Sequence, residues 1–244
     1  MESSPLILNM NYSRPVAVIG DIHGCADLLE ELLRRLEDLP VLVTGDVCDR
    51  GPDTRRVIDL LVERGARGVR GNHEEWLTAW VHRKGFESFA LHPVMGGEAT
   101  LASYGVVGDT PQQIEVQWHM VPPEHRAWLA DLPLVLDLEV MGQRYWMIHA
   151  GVPPLSNMES FSDGEIIGYL VQSDPHSLLW GGTHPHAMAR LNQTVIMGHM
   201  ALERPLDRGH VLGLDTGAGT REGGLLSAVV LPHRHFISVG PNDL

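Results

Sequence analysis

The chain has 244 residues, 43% hydrophobic and 20% charged, enough for one large globular domain with a sizeable core. Its 31 acidic and 18 basic side chains leave a formal charge of −13 with no offsetting Lys/Arg run, which argues against nucleic acid and anionic membranes as partners. No apolar stretch approaches the length of a membrane span.

Met1-Glu2-Ser3-Ser4-Pro5 lacks the basic start and apolar core of a signal peptide, and residues 5–13 read as a loose leader. The run Val16-Ala17-Val18-Ile19 predicts a strand over 15–20 that stops at Gly20-Asp21-Ile22-His23-Gly24. Leu28, Leu29, Leu32, Leu33 and Leu36 then line one face of a helix over 26–39, ended by Pro40. A second strand, 41–45, leads into Gly45-Asp46-Val47-Cys48-Asp49-Arg50-Gly51 and a helix over 54–64. A third, 66–70, enters Gly71-Asn72-His73-Glu74 and a helix over 74–84, with Trp76 and Trp80 on one face as core residues. The β-α-β-α-β alternation predicts an α/β fold with parallel strands and right-handed crossovers. Cys25 and Cys48, the only cysteines, make no disulfide framework, so a reducing cytoplasm and packing roles are expected; a bond between them under oxidation is the lesser alternative.

Residues 85–130 are richer in Gly, Pro and His, with short helical pieces at 97–104 and 124–132. They read as a helical insertion capping one end of the sheet within a single domain, 1–244. A hairpin of 135–140 and 144–148 delivers His149-Ala150-Gly151, and 152–190 reads as a long polar loop. Strand 194–197 delivers Gly198-His199, and segments 210–214, 225–231 and 235–239 read as antiparallel strands.

A strand that stops at a glycine presents the next side chains at the carboxyl edge of a sheet, where open α/β folds build their sites. Asp21 and His23 alternate by two and so point the same way on an extended backbone, a suitable pair of ligands for one cation. Neighbouring strands lie about 4.8 Å apart, so Asp46 reaches the same cation and bridges to a second. Asn72 adds an amide oxygen, and His149 and His199 are placed to complete the coordination of the second metal. The mixed carboxylate, imidazole and amide set favours Mn, Fe, Zn or Ni over Ca, with Mn²⁺ the leading expectation. Singly, each residue suits a helix cap or a structural histidine; six at strand exits beside small residues point to a dinuclear site.

In order and spacing, GDIHG, GDVCDRG, GNHE, HAG and GH closely resemble the phosphoprotein phosphatase branch of the calcineurin-like metallophosphoesterases, over about residues 16–231. The resemblance implies a sandwich of two mixed sheets flanked by helices, with a dinuclear site at the strand C-terminal ends. It implies metal ligation by Asp21, His23, Asp46, Asn72, His149 and His199, with Asp46 bridging. It implies His73, paired with Asp49, as general acid, and Arg50, with Asn72, as phosphate-binding residues. The two cations would lower the pKa of a shared water for in-line attack on phosphorus. Leu179-Trp180 and Asp215-Thr216-Gly217-Ala218 resemble the bacterial and phage serine/threonine phosphatase subgroup.

The activity expected is hydrolysis of phosphoserine and phosphothreonine in proteins, with small phosphoesters as side substrates. Hydrolysis of diadenosine tetraphosphate is the alternative; Glu74 stands where those hydrolases usually carry Asp. A binding module on a dead scaffold would need a missing ligand, and none is missing. Relatives often carry a second phosphate-clamping Arg two residues after the tryptophan, but that place is Gly182; Arg190 and Arg221 are the substitutes considered. His184-Pro185-His186 reads as a solvated loop, and the remaining histidines lack ligand-like settings.

Overall fold

The computed structural model describes residues 6–156, 158 and 160–244, so the signal-peptide reading of residues 1–5 lies outside it. Ile7–Tyr12 form β1 and Val16–Ile19 β2, followed by α1 (Ala26–Leu36), β3 (Val41–Val43), α2 (Thr54–Glu63), β4 (Arg67–Gly68) and α3 (His73–Val81). The middle supplies α4 (Gly97–Ser103), α5 (Pro111–Glu115) and α6 (Pro123–Ala130), then β5 (Val135–Val140) and β6 (Gln143–Ile148). After α7 (Asp163–Ser173) and α8 (Pro175–Trp180) come β7 (Thr194–Met197), β8 (Leu206–Asp207) and β9 (Val211–Gly213). The chain closes with β10 (Asp215–Thr216), β11 (Leu225–Leu231) and β12 (His235–Val239).

The strands make two mixed sheets. One runs β1-β5-β6-β7-β9-β8; the other runs β10-β11-β2-β3-β4, with β12 also on β11. The uniform apolarity of β2 follows from burial on both faces. Val16 and Val18 face the opposite sheet, packing with Leu136, Leu138, Met147 and Ile196. Ala17 and Ile19 point the other way, onto Leu29 and Leu32 of α1 and Ile58 of α2. A third core packs Ile167 and Leu170 of α7 and Leu178 and Leu179 of α8 over Ile148, Val195 and Met197. The result is helices, sheet, sheet, helices, in agreement with the expected α/β class. Among the described residues no helix is long and apolar enough to cross a membrane.

Five local expectations are corrected. From Ile7 to Tyr12 the supposed leader is β1, an edge strand paired in parallel with β5; its alternation puts Leu8, Met10 and Tyr12 against the inter-sheet core. Much of the supposed polar loop, 152–190, is helix. A capping box between Ser162 and Glu165 starts α7, and Asp174 with Pro175 starts α8. The third strand shortens to Arg67–Gly68, although Val69 still bonds to Val43 through its backbone N–H. Of the closing strands, β9 is parallel to β7, whereas β10, β11 and β12 are antiparallel as expected. α1 also stops at Leu36, before the expected 39, because Glu37 turns to a positive φ of 49°.

Candidate metal centre and its phosphoester chemistry

Backbone bonds first stitch the motif loops together. The Ile22 and His23 N–H groups both donate to the Asp46 carbonyl, at 3.0 and 2.9 Å, and Gly51 N–H donates to the His23 carbonyl at 2.9 Å. His23, Asp46, Asp49, Arg50 and His199 all hold left-handed backbone, with φ between 45° and 70°. Such conformations cost of order 1–3 kcal/mol each for non-glycine residues and concentrate at functional sites.

Side chains from five strand exits converge behind these loops. Asp46 Oδ2 is 3.7 Å from His23 Nε2, 4.0 Å from His73 Nε2 and 3.3 Å from His149 Nε2. Ligand atoms of His23, Asp46 and His73 lie within 4.8 Å of one another, as do those of Asp46, His149 and His199. Asp46 is common to both groups. Asn72 Oδ1 is 3.0 Å from His149 Nε2 and 3.0 Å from His199 Nδ1. Asp21 stands beside them, accepting from Thr44 Oγ1 at 3.1 Å and from His199 N–H at 2.8 Å. All six sequence-predicted ligands therefore come together, though Asp21 spends both oxygens on neighbours and belongs to neither close group.

The donor set fits divalent cations. His23 Nδ1 donates to the Cys48 carbonyl at 2.9 Å and His149 Nδ1 to the Thr44 carbonyl at 2.8 Å. A carbonyl only accepts, so in each neutral ring the lone pair sits on Nε2, aimed inward, as ligating histidines require. The cation that meets the His23 lone pair here is Arg50, whose Nη1 lies 2.6 Å from Nε2. Charge is otherwise badly shared. Burial holds His23 neutral, with its pKa down to about 3, and His199 likewise, near 4. Burial would do the same to His149, but Asp46 outweighs it and lifts that ring to about 10. Burial would raise Asp46, yet the His149 and His73 charges take it well below the usual carboxylate range. Burial, then the charge of Asp215, push Asp21 well above it. Divalent cations would supply the positive charge these carboxylates lack.

The second constellation adjoins the first. His73 Nδ1 donates to Asp49 Oδ2 at 2.7 Å. Burial favours a neutral His73, but Asp46 and the Asp49 hydrogen bond prevail and its pKa is raised. Asp49 is held in turn by the Trp76 indole N–H at 2.9 Å and the Thr100 hydroxyl at 2.7 Å. Thus α4 reaches the site through Thr100, while Arg50 N–H donates to the Gly96 carbonyl at 3.1 Å.

These motif loops carry the family's pattern, and the sequence profile of the calcineurin-like phosphoesterases matches residues 14–210. The chain belongs to that family. Serine/threonine-protein phosphatase 1 of Salmonella typhimurium is 48% identical over 84% of this chain and 87% of its own length. The asymmetrical bis(5'-nucleosyl)-tetraphosphatase PrpE of Oceanobacillus iheyensis is 26% identical over 92% and 91%. A crystal structure provisionally assigned as a diadenosine tetraphosphatase has the same fold, with a TM-score of 0.65 at 24% identity, over 97% of this chain and 98% of that one. This phosphoesterase is therefore a metal-binding hydrolase of phosphoesters, with a divalent metal centre in its His/Asp cluster.

Reading the sequence overlooked several residues of the phosphoesterase site. Glu74, fully buried, accepts backbone N–H bonds from Asp46, Val47 and Gly71, each at 2.8 Å. The sequence marked Glu74 as the last residue of GNHE and as a departure from the dinucleotide hydrolases, but gave no sign of this clamping role. Asp215 is buried near Asp21, and burial pushes its carboxyl up as well. Of the substitutes considered for the second arginine, Arg221 is engaged elsewhere and Arg190 lines surface depressions. Arg221 donates to the Leu202 and Thr216 carbonyls, and Arg190 shares a surface depression with His186, Arg208 and His210. Both cysteines are free, and burial followed by the charges of Asp49 and Glu74 pushes the Cys48 thiol well above its ordinary value. His184 and His186 are exposed, stacking ring on ring, as a solvated loop requires. His125 is buried between Tyr104 and Asp59, a structural clip.

Gly198 offers a direct test of the cluster's dependence on close packing. A Cβ there would overlap Asp21 Oδ1 and Thr44 Oγ1. Gly198→Ala should displace the Asp21 carboxylate and lower bound metal about 10–100-fold in affinity, a range typical of lost supporting contacts. Metal titration by calorimetry checks this, and unchanged affinity would remove Asp21 from the centre.

Proposed function

We propose that the protein is a metal-dependent phosphomonoesterase that removes phosphate from phosphoserine and phosphothreonine in proteins. The observation that carries this reading is the 2.7 Å His73–Asp49 contact set beside the Asp46-centred imidazoles. That pairing supplies a proton donor for an alkoxide leaving group, the difficult part of hydrolysing a serine or threonine phosphate.

Divalent cations held by Asp21, His23, Asp46, Asn72, His149 and His199, with Mn²⁺ the leading choice, would polarise the phosphoryl oxygens and lower the pKa of attacking water. Arg50, once a metal takes its place before His23, is free to grip the phosphoryl group with its planar fork. Asn72 amide nitrogen is a further donor to the same group. Asp49 keeps the His73 ring oriented and charged through Nδ1, so that Nε2–H faces the leaving oxygen. The relative named a serine/threonine-protein phosphatase supports this substrate class, and the acidic chain supports a protein over a nucleic-acid substrate.

Relatives named bis(5'-nucleosyl)-tetraphosphatases favour a second reading, hydrolysis of a dinucleoside polyphosphate. The test is a comparison of kcat/KM for a phosphoserine peptide and diadenosine tetraphosphate on Mn²⁺-loaded protein. We expect the peptide to lead; the reverse order would install the second reading. A leaving-group series tests the acid. His73→Asn should cost about 10²–10⁴-fold on alkyl phosphates and far less on p-nitrophenyl phosphate, with metal content retained. Equal losses on both would reject the assignment of His73 as acid.

A further inference from the structure

Next to the metal centre, with Asn72 among its lining residues, a pocket of about 230 Å³ opens between α3, the segment around 87–95 and α8. Its walls combine two carboxylates, Glu75 and Glu87, with the aromatic faces of Trp76, Phe89 and Trp180. These walls are braced. Trp180 donates its indole N–H to Glu75 Oε2 at 2.7 Å, and His176 stacks on Trp180 at an interplanar angle of 13°. Phe89 remains 44% exposed, an apolar ring facing solvent at the mouth of a charged site.

Among the described residues no lysine or arginine lines the pocket. Arg70 lies close enough to feel Glu75, but it donates to the Leu132 carbonyl and is not part of the wall. Arg50 faces His23 and the Val94 carbonyl. The ionisable groups of its lining are two carboxylates and the His176 imidazole, so acidic and aromatic groups dominate the pocket beside the metal centre.

We infer that this pocket receives a lysine or arginine side chain flanking the phosphorylated residue, so that the enzyme selects phosphopeptides with basic neighbours. The inference rests on the phosphoprotein reading above. Carboxylates pair with the cationic head, while aromatic faces attract the same charge through their quadrupoles and cover the aliphatic stem. The volume falls below the ~300–1,000 Å³ of small-molecule pockets and suits a single long side chain. A dinucleoside polyphosphate entering here would bring further phosphates against Glu75 and Glu87, where like charges repel.

The test uses two phosphoserine peptides identical except for arginines or glutamates on both sides of the phosphoserine, assayed on the Mn²⁺-loaded full chain. The wild type should favour the basic peptide about tenfold in kcat/KM at low salt, and the preference should shrink as salt screens it. Glu87→Gln should reduce the ratio and Glu87→Lys should invert it. Because the ratio is taken within each variant, a general loss of activity cancels. Equal rates or an acidic preference in the wild type, or a ratio unmoved in both variants, would overturn the pocket's role alone. If neither peptide turns over while diadenosine tetraphosphate does, the phosphoprotein reading fails and takes this inference with it.

Discussion

Asp46→Asn should abolish turnover, by about 10³-fold or more, and release metal while the fold survives. Asp46 is the one residue common to the His23–His73 and the His149–His199 groups. The amide keeps the carboxylate's shape, and its oxygen can still accept the His73 N–H bond that Oδ1 accepts at 3.1 Å. What it loses is the negative charge, and its NH₂ group presents hydrogens where lone pairs must converge on cations. Elemental analysis and p-nitrophenyl phosphate turnover check the two halves separately. Native metal content with wild-type rates would refute the shared-ligand role.

Glu74→Gln should be strongly destabilising although the change is conservative. The fully buried Glu74 carboxylate gathers three backbone N–H donors, and Cys48 Sγ lies 3.4 Å from Oε1. Glutamine turns one acceptor oxygen into a donor facing other donors in a fully buried position. Unpaired buried donors and lost charge-assisted bonds together cost about 2–4 kcal/mol. That is a large share of the roughly 5–15 kcal/mol that holds a protein folded. The melting temperature should fall by roughly 4–16 °C for a chain of this size. Because Glu74 holds the Asp46 and Gly71 backbones, metal affinity should fall too. Thermal denaturation with and without Mn²⁺ measures both effects, and a melting temperature within a degree of wild type would show that the clamp is dispensable.

The elements that were legible in the sequence share one property: their signal is local. A short apolar run followed by glycine and a polar ligand marks Asp21, His23, Asp46 and Asn72 without reference to the rest of the chain. The elements that were misread depend on distant partners or on competing local cues. β1 is stabilised by pairing with β5 across 128 positions, as between Asn11 and Glu139, and an isolated edge strand of alternating Asn residues has no strong propensity. In 152–190 the Ser162–Glu165 capping box was present, but surrounding Pro and Gly residues masked a helix whose apolar face is defined only by the sheet it covers.

By itself, the sequence determined the α/β class and, through strand-end geometry acting over a few positions, which six side chains converge, while the resemblance to the family singled out His73, Asp49 and Arg50. Only the tertiary structure decided which groups support them. Glu74, Thr100 and Trp76 act through hydrogen bonds that, Gly71 apart, reach partners 26 to 51 residues away, and no periodicity records such contacts. The left-handed backbone at His23, Asp46, Asp49, Arg50 and His199 is likewise imposed from outside. No local preference of those residues selects it, so the packed loops around them must hold it in place.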